Sequence, residues 1–156
     1  MAIEKVREFF AKEGMADRII EFEVSSATVE LASAALNIDG ARIAKSISLM
    51  LEGEPILVVA AGDAKIDNQK YKAEFASKAK MLSPDQCESL IGHAVGGVCP
   101  FAINEGVRVF LDVSLKRFDT VFPAAGSSNS AIELTIDELK KYSGFERWVD
   151  VCRLPV

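Results

Sequence analysis

The chain has 156 residues, 49% hydrophobic and 26% charged, with three cysteines, one histidine and a net charge of −5. One domain is the expectation at this length, and such a chain buries roughly 70% of its unfolded surface, so its core needs neither disulfide nor metal. A single imidazole excludes two-histidine zinc motifs, the longest apolar run (Ile56–Ala61) is far short of the ~20 residues of a membrane span, and the acidity argues against the basic surface of a general DNA or RNA coat.

The first ten residues, MAIEKVREFF, alternate charged and apolar residues and lack a signal peptide's apolar stretch and cleavage site. Residues 2–13 read as an amphipathic helix with Ile3, Val6, Phe9 and Phe10 on one face. Arg18–Val24 reads as a strand. Ser25 or Ser26 can cap a helix over Ala27–Leu36, with Asn37 able to end it in the left-handed conformation. Arg42–Leu51 alternates as a strand does, with Ile43, Ile47, Leu49 and Leu51 on the apolar parity and Lys45 intruding among them. Glu52-Gly53-Glu54 is a tight turn, and Pro55–Ala61 is the continuous apolar run of a strand buried on both faces.

Asp67 or Asn68 can cap a helix to Phe75, and Lys80–Leu82 reads as a short strand. Ser83-Pro84-Asp85-Gln86 has the N-cap, N1 proline and capping-box glutamine of a helix start; that helix should end at Gly92. A glycine-rich loop, GHAVGGVCPF, follows. Val107–Val113, Asp119–Phe122 and Ala131–Leu134 read as strands, the last two separated by the loop PAAGSSNS. Thr135 to Glu138 is a second capping box opening a helix to Tyr142, and Arg147–Cys152 is a final strand. About seven strands and five helices in this order predict an α+β domain built on one mixed sheet. No GxGxxG follows the first strand and no P-loop is present, which argues against a nucleotide-cofactor site.

Lys45 must pair, reach water or face a cavity, because an unpaired buried ammonium is too costly to be incidental. Gly96, Gly97 and Pro100 form a constrained backbone whose N–H groups could receive a carbonyl or oxyanion. It could equally be an ordinary connection. The same two readings stand for the loop from Pro123 to Ser130. Cys99 and His93, six residues apart, could be a nucleophile and base, or a small buried thiol and its neighbour. Lys65, Lys70, Lys72, Lys78 and Lys80 make a local basic cluster: a solvated face, or a patch that steers a phosphate backbone. The three cysteines lack CxxC spacing and fit a reducing compartment. The expected location is cytoplasmic.

Four segments together resemble one family: ASAALNIDGARIAKSISL, GDAKID, GHAVGGVCPFA with its GxxxP spacing, and LDVSLKRFDTVFPAAGSSNSAIEL. The family is the YbaK/EbsC-type aminoacyl-tRNA deacylases, related to the editing insertion domain of bacterial prolyl-tRNA synthetases. The resemblance spans about residues 25–150. It implies a partly barrel-like mixed sheet surrounded by helices. It implies hydrolysis of a mischarged tRNA ester, with substrates such as Cys-tRNA(Pro) or Ala-tRNA(Pro). The family lysine falls on Lys45, the GxxxP motif on Gly96 and Pro100, and the second glycine loop on Gly126.

On this reading Lys45 holds the ester carbonyl or the terminal phosphate, and the backbone at Gly96 and Gly97 stabilises the oxyanion. Substrate contacts are expected from Phe22, Val24, Ile47, Val98, Cys99, Pro100, Phe101, Gly126, Ser127 and Ser128. Lys65, Lys70 and Lys72 are the expected tRNA patch. No cofactor or metal is expected, and protons come from the substrate's 2′-OH or thiol. The partners are the aminoacylated 3′ end and, as a candidate, prolyl-tRNA synthetase. The alternative is a non-catalytic module that binds an amino acid, a nucleotide or a synthetase.

Overall fold

The computed structural model describes residues 2–155. Helix α1 (Ala2–Ala11) leads to β1 (Ile19–Glu21) and α2 (Val29–Leu36). Strands β2 (Ile43–Leu51) and β3 (Glu54–Ala61) follow, then β4 (Lys65–Ile66) and α3 (Asn68–Phe75). A short α4 (Pro84–Gln86) widens into a π turn at Cys87–Ile91. The second half holds β5 (Arg108–Asp112), β6 (Thr120–Pro123), β7 (Ser130–Ile132), β8 (Leu134–Thr135), α5 (Ile136–Ser143), β9 (Arg147–Val149) and β10 (Cys152–Arg153).

Six strands make one curled mixed sheet in the order β8-β6-β2-β3-β5-β9. Its centre is the antiparallel β2–β3 hairpin, paired from Ala44 with Ala61 to Leu51 with Glu54. The turn is two residues long, and Glu52 and Gly53 both take positive φ (50° and 83°). That is the geometry whose twist matches the flanking strands. Parallel partners close on both sides, β6 on β2 and β5 on β3, and β9 adds in parallel to β5. Ile56 to Ala61 are all fully buried between these neighbours. Each large apolar side chain so buried stabilises the fold by about 1.5–3 kcal/mol. The architecture is the expected α+β class.

Helix ends follow the local chemistry. Both capping boxes form, Ser83 with Gln86 and Thr135 with Glu138. Asp67 caps α3, and Asn37 closes α2 at φ 56°. The differences from the sequence reading lie where side chains compete for backbone groups. Helix α2 starts later than expected because Thr28 caps it, while the amide of Ser26 is donated to the Ser128 carbonyl at 2.7 Å. The expected strand at residues 80–82 is a single bridge between Met81 and Leu49. The last strand is interrupted because the Val151 amide is claimed by Asp112 at 2.9 Å. Helix α1 packs Phe10 edge-on against Phe101 (centroids 4.9 Å apart) and Tyr142 (5.4 Å).

Candidate active site

A cavity of about 410 Å³ opens beside the start of β2. One wall is β2 itself, through Ile43, Ala44, Lys45, Ser46 and Ser48. A second is the approach to α2, from Ser26 to Val29 with Ala32. Phe122, Ala124, Ser130 and Ala131 close a third side, and Met81, Leu82, Pro84 and Cys87 a fourth. Val95, Gly96 and Val98 of the glycine-rich loop complete it. The small side chains at 44, 46 and 48 share one parity of β2, the parity that the sequence reading passed over in favour of the apolar one. That alternation was the available signal. The hydroxyl of Ser46 is buried there with no hydrogen-bond partner among the described residues. Leaving a buried hydroxyl unsatisfied costs about 1–3 kcal/mol.

Lys45 lines this cavity half-buried. Its Nζ donates to the carbonyl of Ala64 and, at 3.4 Å, to that of Gly62. Burial pushes the ammonium pKa down, partly opposed by Cys152 and Asp63. The half-buried lysine pairs with no carboxylate among the described residues. It is tethered to backbone carbonyls at the cavity wall.

The two glycine loops meet each other. A methyl on Gly96 would stand 3.0 Å from the Ala27 side chain and 3.4 Å from that of Ser128. Gly97 is buried directly on the backbone of Gly126 and Ser127. The second loop is tied down by Phe22, whose amide donates to the Asn129 carbonyl at 2.8 Å. The Ser127 hydroxyl lies 2.9 Å from Asn129 Oδ1 and 2.7 Å from Ser130 Oγ. Gly126 in turn accepts the start of α1, with the Ala2 carbonyl where a Cβ would be.

Several expected contacts fall elsewhere. The Gly97 N–H is spent on the Ala94 carbonyl at 3.0 Å, whereas the amides of Gly96 and Val98 have no partner among the described residues. Of the loop's amides, those of Gly96 and Val98 are the uncommitted ones on the cavity wall. Phe22, Val24, Ile47, Pro100, Ser127 and Ser128 are not on the cavity wall. Val24 is 62% exposed, and Ile47 packs on the main core instead. Phe101 is buried in the aromatic cluster with α1. Cys99 is fully buried too; its Sγ is 3.5 Å from His93 Nε2, which sits 2.7 Å from the Phe101 carbonyl. Burial pushes the Cys99 thiol up to about 12 and pushes the imidazole pKa down. A thiolate–imidazolium pair is disfavoured on both partners, so the pair reads as core.

The basic cluster is divided. Lys70 is engaged with Asp150 at 3.0 Å and the Cys152 carbonyl at 3.1 Å. Lys65 is exposed at β4. Lys72 and Lys78 line a separate depression of about 450 Å³ with Asn68, Gln69 and Ala79.

The chain belongs to a known class, the aminoacyl-tRNA editing domain family, whose model matches residues 23–142. By class it is a hydrolase, an aminoacyl-tRNA deacylase. It is 52% identical over 154 residues to the uncharacterized protein YwhH of Bacillus subtilis (strain 168), covering 98% of each chain. It is 30% identical over 102 residues to the proline–tRNA ligase of Leuconostoc citreum (strain KM20), which is 65% of this chain but only 18% of the ligase. Among solved structures it superposes with a TM-score of 0.86 on a protein proposed to be a trans-editing enzyme for prolyl tRNA synthetase, at 23% identity and 97% coverage of both chains. Among the described residues, no helix is long and apolar enough to cross a membrane.

Proposed function

We propose that the chain is a free-standing editing enzyme that hydrolyses the ester of a mischarged tRNA(Pro), with alanine or cysteine as the amino acid removed. The observation that carries this reading is the cavity wall: a tethered lysine together with Gly96 and Val98 lines a chamber built mainly of serine, alanine and valine. Small linings admit small aminoacyl groups and exclude larger ones by overlap. A synthetase pocket, by contrast, rejects a smaller substrate by only about 1–3 kcal/mol, so a separate sieve is useful.

In this mechanism a water oxygen attacks the ester carbonyl carbon. Negative charge develops on the carbonyl oxygen and is met by the amides of Gly96 and Val98. The ammonium of Lys45 holds the ester carbonyl or the terminal phosphate. The carbon–oxygen bond to the ribose then breaks, and the proton given up by the attacking water is relayed through the neighbouring 2′-OH to the departing 3′ oxygen, releasing the amino acid and the tRNA 3′-OH. A substrate thiol can serve in the same way. No protein nucleophile is required, which suits a chain whose Cys99 and His93 are held in the core. Lys65 and Lys72 steer the nucleic acid, prolyl-tRNA synthetase is the candidate partner, and the site of action is the cytoplasm.

The test is a deacylation panel of mischarged tRNAs, run with the protein and with Lys45→Ala, with and without prolyl-tRNA synthetase. The expected result is release of a small amino acid at catalytic ratios, reduced roughly a hundredfold or more in the variant. Saturable binding of aminoacyl-adenosine analogues with no turnover on any substrate would instead identify a binding module.

A further inference from the structure

Lys45 owes its position to the turn that follows β3. Two of its three ammonium donors go to the carbonyls of Gly62 and Ala64, leaving one for a ligand in the cavity. Gly62 has no room for a side chain, since a methyl there would stand 2.0 Å from the Gly40 carbonyl oxygen. Between the two carbonyls lies Asp63. Its carboxylate receives both ends of the Arg117 guanidinium, Nη1 at 3.1 Å and Nη2 at 2.5 Å.

The same arginine donates from Nε to the Ser114 carbonyl at 2.9 Å. The Ser114 hydroxyl accepts the Ala61 amide at 3.1 Å, the last residue of β3 before the turn. The Ser114 amide donates to Asp112 Oδ2 at 2.9 Å, and the other carboxylate oxygen takes the Val151 amide. Asp112 and Ser114 are buried. The buried Ser114 hydroxyl thus holds the end of β3, and the buried Asp112 carboxylate fixes Ser114 and ties it to Val151. None of these four residues lines the cavity.

We propose that Asp63 and Arg117, backed by Ser114 and Asp112, are positioning residues for Lys45: they fix the Gly62 and Ala64 carbonyls, and so set where its ammonium stands in the cavity. The proposal rests on the hydrolase reading for its kinetic consequence but not for its structural one. Bidentate arginine–carboxylate pairing supplies geometry that a single contact does not. The charged and titratable groups acting on Lys45 are Cys152, Asp63, Lys65 and Glu30. Of these only Asp63 is also paired to an arginine.

The experiment compares the protein with Arg117→Ala, Arg117→Lys and Asp63→Asn in two arms. In the first, Lys45 is labelled by a small acylating reagent across a pH series and read by mass spectrometry. The expected result is a several-fold faster labelling and a displaced pH midpoint in Arg117→Ala, with Arg117→Lys between it and the parent. In the second, the variants are assayed on the best substrate of the panel. There kcat should fall roughly ten- to a hundredfold with KM within about twofold, and Arg117→Lys should recover part of the loss. Unchanged Lys45 labelling in both Arg117→Ala and Asp63→Asn would overturn the proposal. If no tRNA is deacylated even by the parent protein, the hydrolase reading fails, while the labelling arm still decides the positioning role.

Discussion

The backbone of Gly97 rests on that of Ser127: a methyl added to Gly97 would lie 2.7 Å from the Ser127 amide nitrogen. The two glycine loops are therefore one structure, and the spacing of Gly96 and Val98 amides depends on Gly126 and Ser127. Gly97→Ala must push the loops apart. Overpacking of this kind costs about 1–3 kcal/mol. The expected outcome is a folded protein with a lower melting midpoint and a deacylation rate reduced roughly tenfold or more. A variant with parental kinetics would show that the loop contact does not set the donors.

Ser46 makes the opposite trade. Its buried hydroxyl has no partner, so Ser46→Ala removes an unsatisfied group and should leave the fold as stable or up to about 1 kcal/mol more stable. Ser46 also lines the cavity, so turnover should fall roughly tenfold. Urea titration and the deacylation assay together check this. A drop in stability would place the Ser46 hydroxyl in a structural rather than a ligand-binding role.

The fold was legible where local rules act alone. The alternation of residues 43–51, the apolar run ending at Ala61, the capping boxes at Ser83 and Thr135, and the left-handed Asn37 all stand where the residues put them. Lys45 was conspicuous for being on the wrong parity. The cavity wall was less legible because it is assembled from segments far apart in the chain. Ala27, Met81 and Ser130 line one cavity although they lie far apart in the chain. Loop residues beside a motif, such as Phe101 and Cys99, read as contacts although their side chains turn into the core. That Gly97 spends its amide on Ala94 is a turn-level detail no spacing announces.

Lys45 also gives the stability a pH signature. Burial lowers its pKa below the ordinary 10.5, so the folded chain binds fewer protons than the unfolded one between those two values. Stability therefore rises with pH through that window, and the cost of the buried ammonium is full below it. Lys45→Met should be more stable than the parent at neutral pH, and the gap should narrow as pH approaches 10.5. Denaturant midpoints at intervals from pH 7 to 10.5 would show it. A gap independent of pH would mean that the ammonium is solvated.

Cys99 should be inert. With its thiol pushed up to about 12 in a fully buried site, alkylation of the native protein should be slower than that of the unfolded chain by orders of magnitude. Cys99→Ser places a hydroxyl beside the Phe101 carbonyl and should keep deacylation within about twofold of the parent, at a stability cost of about 1–3 kcal/mol. Complete loss of turnover in a folded Cys99→Ser protein would reopen thiol chemistry.

The basic residues should separate in a salt titration. Both lysines are exposed, but Lys70 is already committed to Asp150 and the Cys152 carbonyl. Each phosphate contact contributes a slope of about 0.7 in log affinity against log salt for a single strand. Lys72→Ala should reduce the slope for tRNA binding by about that amount, and Lys70→Ala should reduce it less. Equal effects from the two would show that the Lys70 pair opens on binding.

The central hairpin bears on how the chain reaches this state. Strands β2 and β3 are neighbours joined by a two-residue turn, and such hairpins form in about 1–10 μs. The parallel partners must bring Phe110 to Val58 and Phe122 to Ile43, contacts between segments distant in sequence that close slowly. Lys45 thus sits on the element that can form first, but its tether is completed only when Arg117 arrives to lock Asp63. During synthesis the hairpin emerges well before that arginine does. Its unsheathed edges, with Ile56 to Ala61 still open on the β5 side, are then the segment most in need of shelter from other nascent chains.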